Sequence, residues 1–318
     1  MTEISLEKSA PQAERLNRLR QAIATVNQII LGKEKQIELA FSCLLARGHL
    51  LIEDLPGVGK TTLAHALATV IGARYQRIQF TSDMLPADIL GMSIYRRDQK
   101  KFEFHPGPIF AELVLADEIN RATPKSQSAL LEAMAEGQVT IEGATHVLPE
   151  PFFVIATQNP LDLVGTFPLP NSQLDRFMLN ISLGFPVPEV ERQLLLARDR
   201  AAVLRDTGAS MSPEDVIQLN RDCQKVHAGD ALLDYLQDLM AATRNGRWFE
   251  NGLSPRAGIV LLRCCKAHAF LHSRDFVTPD DVKAVFPSLA RHRLSLPQGV
   301  ERAVDEQISA LLSQVTVP

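Results

Sequence analysis

The chain is short of the features that mark membrane, secreted and nucleic-acid-coating proteins. Aromatic residues are only 6% of 318, with one Trp and three Tyr, so stacking platforms for single-stranded nucleic acid are scarce. Basic residues are not in excess: 33 Lys and Arg stand against 37 Asp and Glu, a formal net charge of −4. Proteins whose main task is holding nucleic acid usually carry a basic balance. No apolar run approaches the roughly 18 residues that a membrane span requires. The polar start MTEISLEKSAPQ lacks the charged-then-apolar order of a signal peptide, and residues 1–12 read as a flexible tail. Cysteine is sparse: Cys43, Cys223, Cys264 and Cys265 lie in apolar stretches without CxxC spacing. This predicts reduced core thiols in a cytoplasmic protein rather than a disulfide scaffold. Internal repeats and low-complexity segments are absent.

What is present suits a globular α/β protein. At 46% hydrophobic and 22% charged the chain can bury a sizeable core, and its length suggests about two domains. Leu16, Leu19, Ile23 and Val26, then Ile37, Ala40, Phe41 and Leu44, recur at helical spacing over residues 13–47. Short apolar strands follow at His49–Glu53, Arg77–Phe80, Leu113–Ala116, Phe152–Ala156 and Leu179–Leu183. Helical segments near 61–71 and 125–136 alternate with them. That rhythm predicts a mostly parallel five-stranded sheet. Ser93–Phe104 and Gln138–Leu148 alternate apolar and polar residues and predict two β-hairpins, the second turning at Glu142-Gly143. Pro186 and Pro188 interrupt the pattern and place a domain boundary at 188, dividing an α/β domain (13–188) from a helical one (189–318). Helices are expected there at 190–204, 213–226, 231–243, 255–272 and 279–292. Ser212-Pro213-Glu214 and Thr278-Pro279-Asp280 read as helix starts.

Asp54-Leu55-Pro56-Gly57-Val58-Gly59-Lys60-Thr61-Thr62 follows a buried strand and opens a helix, the context of a phosphate-binding loop. Gly57 and Gly59 let backbone amides converge on phosphates, and the helix N-terminus adds partial positive charge. Lys60 would reach the β and γ phosphates of ATP, and the Thr61 hydroxyl would ligate Mg2+. Asp54 stands where the motif usually begins with glycine. Leu113-Val114-Leu115-Ala116-Asp117-Glu118 is an apolar strand ending in two carboxylates. Asp117 can hold the magnesium through its water shell, and Glu118 can orient or deprotonate the attacking water.

In order along the chain, EDLPGVGKTT, PADILG, FHPGPIF, LVLADEINRA, LLEAMAEGQVTIEG, IATQNP, QLDRF and SPRA closely resemble the MoxR family of AAA+ ATPases, from about residue 30 to 265. An acidic or other non-glycine residue at position 54 is itself usual in that family. The resemblance implies a P-loop AAA+ core with two hairpin inserts and an all-α lid. It implies a sensor 1 role for Asn159, an arginine finger at Arg176 and a sensor 2 role for Arg256, acting either on its own site or on a neighbour's. Ile29-Ile30-Leu31-Gly32 would line an adenine pocket or serve as core. A cation at Arg256, in the first turn of a helix capped by Ser254, opposes the helix dipole, which favours an external anion. The hairpins match inserts that face the pore or the partner in such rings, and the first tip carries Arg96, Arg97, Lys100 and Lys101.

The function implied is a Mg2+-dependent ATPase acting as a homo-oligomeric ring, a hexamer. It would remodel or mature a partner complex with a von Willebrand A domain protein, without membrane or nucleic acid. A magnesium-chelatase-like motor subunit, a nucleic-acid motor and a nucleotide-gated scaffold are the alternatives. Cys264, His268 and His272 fall at i, i+4 and i+8 on one predicted helix face and mimic metal-ligand spacing. With no fourth donor in view and apolar surroundings, they read as core.

Overall fold

Four of the five sheet strands are short runs buried along nearly their whole length, which suits a parallel sheet covered on both faces. The computed structural model describes residues 10–161, 165–196, 200–297 and 303–317. Helices α1 (Ala10–Ile29) and α2 (Glu34–Leu45) precede β1 (Leu50–Glu53), and α3 (Lys60–Val70) follows it. Next come β2 (Tyr75–Gln79), α4 (Pro86–Leu90), a hairpin of β3 (Gly91–Arg96) and β4 (Lys101–Pro106), and β5 (Leu113–Asp117). Then follow α5 (Pro124–Glu136), a hairpin of β6 (Gln138–Ile141) and β7 (Ala144–Val147), β8 (Phe153–Gln158), α6 (Asn171–Leu174) and β9 (Leu179–Ile181). The rest is helical: α7 (Pro188–Leu196), α8 (Arg200–Asp206), α9 (Pro213–Gln224), α10 (Asp230–Arg244), α11 (Pro255–Leu271), α12 (Pro279–Ala290) and α13 (Val304–Gln314).

The sheet order is β2-β5-β8-β1-β9, with every pair parallel. Successive side chains alternate between two cores. Leu50, Ile52, Leu113, Leu115, Phe153 and Ile155 face α1–α3 and the C-terminal helices. Leu51, Val114, Ala116, Val154 and Ala156 face α5 and the hairpin bases. Burial of that continuous run is what placed the inner strands correctly from sequence. β8 lies between β1 and β5, so the C-terminal ends of β1 and β5 stand about 10 Å apart, two strand spacings. Ligands of open α/β sheets sit at such a crevice, where strand order reverses.

Both hairpins form. Glu142 and Gly143 have φ of 51° and 82°, the paired left-handed turn that two-residue hairpins favour. Several boundaries move. Residues 1–9 of the expected tail lie outside the described residues, and Ala10–Gln12 already belong to α1. β2 begins at Tyr75, because an edge strand carries polar Gln76 and Arg77 that hide its start. Of the helix expected over 190–204, the described residues show α7 as far as Leu196 and α8 from Arg200, and 197–199 lie outside them. At α9 the cap is as read: Ser212 Oγ accepts from Asp215 N at 3.2 Å, and Asp215 Oδ2 accepts from Ser212 N at 3.0 Å. Among the described residues no helix is long and apolar enough to cross a membrane. All four cysteines are buried free thiols, and burial pushes the Cys223 thiol up to about 12.

Candidate active site

Residues 54–59 leave the C-terminal end of β1 and turn into α3. Gly57 and Gly59 take φ of 85° and 97°, a region costly for any residue with a Cβ. A Cβ at either would meet nothing within 4 Å, so the concave side of the loop is open to phosphate groups. Asp54 has a structural task that explains its presence. Its Oδ2 accepts from Gly184 N at 2.6 Å and Ser182 Oγ at 3.0 Å, and its Oδ1 from Leu55 N at 2.9 Å. Burial pushes its pKa up, but these donors outweigh burial and hold it below the usual carboxylate value. The loop is thereby pinned to the segment leading into α7. Lys60 Nζ donates to the carbonyls of Asp54 (2.6 Å) and Leu55 (3.0 Å). Thr61 presents an exposed hydroxyl in the first turn of α3. Leu55, Pro56, Val58 and Thr62 complete the wall. Ile29 and Ile30 are buried in the core cluster, and Gly32 lies beside Val190 of α7.

Two strands away, β5 delivers Asp117 and Glu118. Asp117 Oδ1 accepts from Thr157 Oγ at 2.6 Å, and its Oδ2 from Arg77 Nε and Nη2 at 3.0 and 2.6 Å. Glu118 has φ of 57°, uncommon outside glycine. Its N–H donates to the same Thr157 hydroxyl at 2.8 Å. Its carboxylate accepts from Arg121 Nη1 at 2.9 Å and Gln79 Nε2 at 3.0 Å. Asn159 follows the end of β8, between the loop and the acid pair, and its Oδ1 accepts from Leu161 N at 3.2 Å. The open glycine turn, the Lys60 amine, the Thr61 hydroxyl and the Asp117 carboxylate at one end of the sheet fit a magnesium–nucleotide. Thr157, Arg77 and Gln79 went unread in the sequence. Each acts through a neighbouring strand, and only the strand order brings them in.

Arg176 and Arg256 are elsewhere. They line a cleft of about 180 Å³ together with Arg47, Arg263, Arg293 and Asp175. Gly48, His49 and Met178, the residues just before β1 and β9, also border it, so it opens at the N-terminal end of those strands. The phosphate loop leaves the opposite end. Arg293 organises this cleft: it donates to Asp175 Oδ1 (2.7 Å), Phe177 O (2.7 Å) and Leu289 O (2.6 Å). Burial pulls its guanidinium pKa below the ordinary value, against the hold of Asp175. Asp175 therefore pairs with Arg293 rather than with adjacent Arg176, whose Nη1 donates to Leu131 O at 3.2 Å. Ser254 Oγ caps α11 through Ala257 N at 3.2 Å, which sets exposed Arg256 in the first turn. His49 is part-buried: Nδ1 accepts from Val154 N at 3.1 Å while Nε2 faces Met134 O at 3.2 Å. Burial lowers its pKa to about 4.

A phosphate loop on the strand next to the sheet edge, an acid pair two strands away and a helical C-terminal half define an ATPase domain of the AAA+ class. The ATPase family associated with various cellular activities (AAA) matches residues 49–179, and an AAA lid domain matches 241–311. The chain is 43% identical to the uncharacterized protein YeaC of Bacillus subtilis, over 94% of this chain and 95% of that one. It is 38% identical to chaperone MoxR1 of Mycobacterium tuberculosis, over 96% of this chain and 84% of that one. The crystal structure of a proposed ATPase from Cytophaga hutchinsonii superposes with a TM-score of 0.86 at 34% identity, covering 96% of both chains. A rice magnesium-chelatase subunit aligns over only 57% of this chain, at 29% identity. The chain belongs to the MoxR family of AAA+ ATPases.

Proposed function

We propose that the chain is the subunit of a cytoplasmic ring, a hexamer, that hydrolyses ATP with Mg2+ between adjacent subunits and uses the cycle to remodel a partner protein. One observation carries this reading. Arg176 and Arg256 share a cationic cleft at the strand end opposite the phosphate loop, roughly 13 Å away along the four residues of β1. That separation from the chain's own phosphate loop supports a role for both guanidiniums at the nucleotide of a neighbour. In that arrangement Lys60 and the loop amides bind the phosphates, and Thr61 and Asp117 hold the metal, whose charge stabilises the transferring phosphoryl group. Glu118 and Asn159 position and activate water, while the neighbour's Arg176 and Arg256 face the developing charge.

A protein client is the reading favoured by the relative named a chaperone, and a von Willebrand A domain partner is what the motif resemblance implies. The first hairpin supports it: Tyr95 and Phe102 form an exposed aromatic pair with centroids 5.3 Å apart, beside a charged tip. The chelatase alternative rests on a relative that aligns with little more than half of the chain. A nucleic-acid motor is disfavoured by the net charge of −4. The test is paired binding and turnover. Wild type should bind ATP and hydrolyse it with a specific rate that rises with protein concentration, as a shared site requires. Lys60→Ala should lose binding, and Arg176→Ala should keep binding and lose turnover. A specific rate independent of concentration across the range where the ring assembles would overturn the shared site.

A further inference from the structure

Outside the nucleotide site, α2 meets α11 at a cluster of donor atoms. Glu38 comes from α2, His268 from the last turn of α11 and His272 from its C-cap. One ligand atom from each of the three lies within 4.8 Å of the others. His272 Nε2 is 4.0 Å from Glu38 Oε2, and the two imidazoles sit with centroids 4.7 Å apart. His268 and His272 are spaced i, i+4, which sets both rings on one helix face. The sequence showed these two histidines; the carboxylate arrives from a helix 230 residues earlier by number, beyond any local reading. Cys264, one turn before, is fully buried in the core and is not a member of the cluster.

A second observation points to a ligand. His268 Nδ1 is held at 2.6 Å by Oδ1 of Asp281, a fully buried carboxylate fixed in turn by Arg274 and by Thr278 N at 2.8 Å. That bond settles the ring's orientation and leaves Nε2 as the free donor. A carboxylate on the remote nitrogen of an imidazole is the usual outer-shell support of a metal-binding histidine. Bonds of about 2.0–2.1 Å in a tetrahedral site put donors roughly 3.3 Å apart. The cluster is therefore about an ångström open, and the part-exposed side chains of Glu38 and His272, at 37% and 43%, can rotate to close it.

We propose that Glu38, His268 Nε2 and His272 Nε2 bind one divalent transition-metal ion, zinc by the class of its two-nitrogen, one-oxygen donor set, with the fourth position open to solvent. The ion ties α2, which leads into β1 and the phosphate loop, to α11, which carries Arg256 at its other end. The experiment uses full-length protein stripped with EDTA and free of any polyhistidine tag. Calorimetric titration with Zn2+ should show one strong site per chain, and Co2+ should give visible d–d bands. His272→Ala and Glu38→Gln, both at accessible positions, should each weaken Zn2+ at least about tenfold and abolish the cobalt bands. Asp117→Asn should change neither readout, and circular dichroism verifies that all three variants fold. Absence of a strong Zn2+ site in wild type, unchanged affinity in either cluster variant, or loss of the site in Asp117→Asn would overturn the proposal.

Discussion

Thr157 is the residue through which the acid pair of the site is built, and its substitution is a sharp test of that geometry. The side chain is fully buried. Its hydroxyl donates to Asp117 Oδ1 at 2.6 Å and accepts from the Glu118 N–H at 2.8 Å. Thr157→Val keeps the shape and removes both bonds. Leaving the Glu118 N–H unpaired costs about 1–3 kcal/mol, and the left-handed φ of Glu118 (57°) adds about 1 kcal/mol of strain or more. Both are relieved if the segment shifts, which takes the Glu118 carboxylate out of position. Every 1.4 kcal/mol is about tenfold in population, so kcat should fall about tenfold or more. KM for ATP should stay within about twofold, because the phosphate loop is untouched. Thr157→Ser retains the hydroxyl and should stay near wild type. Steady-state ATPase assays on the three proteins decide it, with urea midpoints to verify folding. A valine variant with kcat within about twofold of wild type would refute the bridge as the element that holds Glu118.

The remaining expectations concern other parts of the site and fold. Glu118→Gln should bind ATP with near-native affinity and scarcely hydrolyse it, since the amide keeps the shape and loses the base; equilibrium binding and single-turnover hydrolysis read both. Shortening the first hairpin at 96–101 to a two-residue turn should leave basal ATPase unchanged and impair partner remodelling, because the tip is distant in sequence from the phosphate-contacting motifs and the ion pairs of Arg96, to Asp98 and Glu103, stay within the hairpin. Acid should destabilise the fold before the carboxylates titrate. His49 falls from an ordinary 6.5 to about 4 through burial, so the unfolded chain takes up its proton first and stability is lost as pH drops from 6.5 towards 4. At pH 5 that amounts to about 2 kcal/mol, and His292, also depressed by burial, acts in the same direction. Urea midpoints equal at pH 7 and pH 5 would contradict it.

The phosphate loop was legible because it is local: one strand, one loop and one helix start within a dozen residues. The inner strands were legible because Leu113–Ala116 and its partners are buried on both faces and show no polar gap. The supporting residues were not. Thr157, Arg77 and Gln79 are ordinary in their own segments and gain meaning only when β8 and β2 are placed on either side of β5. Arg293 drew no reading from the sequence, yet its side chain is nearly buried and shapes the loop that carries Arg176. Asp54 looked like a departure from a motif and is a tether to Gly184 and Ser182. Arg256 could be placed in the first turn of α11 from its Ser-Pro start, but which nucleotide it could serve depended on seeing both ends of the sheet.

The claim that the site is shared between neighbours is tested most directly by mixing inactive subunits. A neighbour's arginine can be worth about a thousandfold in phosphoryl transfer, so Arg176→Ala, Arg256→Ala and Glu118→Gln should each be nearly inactive alone. Mixed with Glu118→Gln, either arginine variant contributes an intact loop and Glu118, and its neighbour contributes the missing guanidinium. Single-turnover hydrolysis, with native mass spectrometry to verify mixed rings, should then exceed the sum of the separate preparations for both arginine variants. The pairing of Lys60→Ala with Glu118→Gln should show no gain, because every site in that mixture carries one of the two lesions. Mixed rings that form and remain inactive for Arg176→Ala and Arg256→Ala would contradict the account.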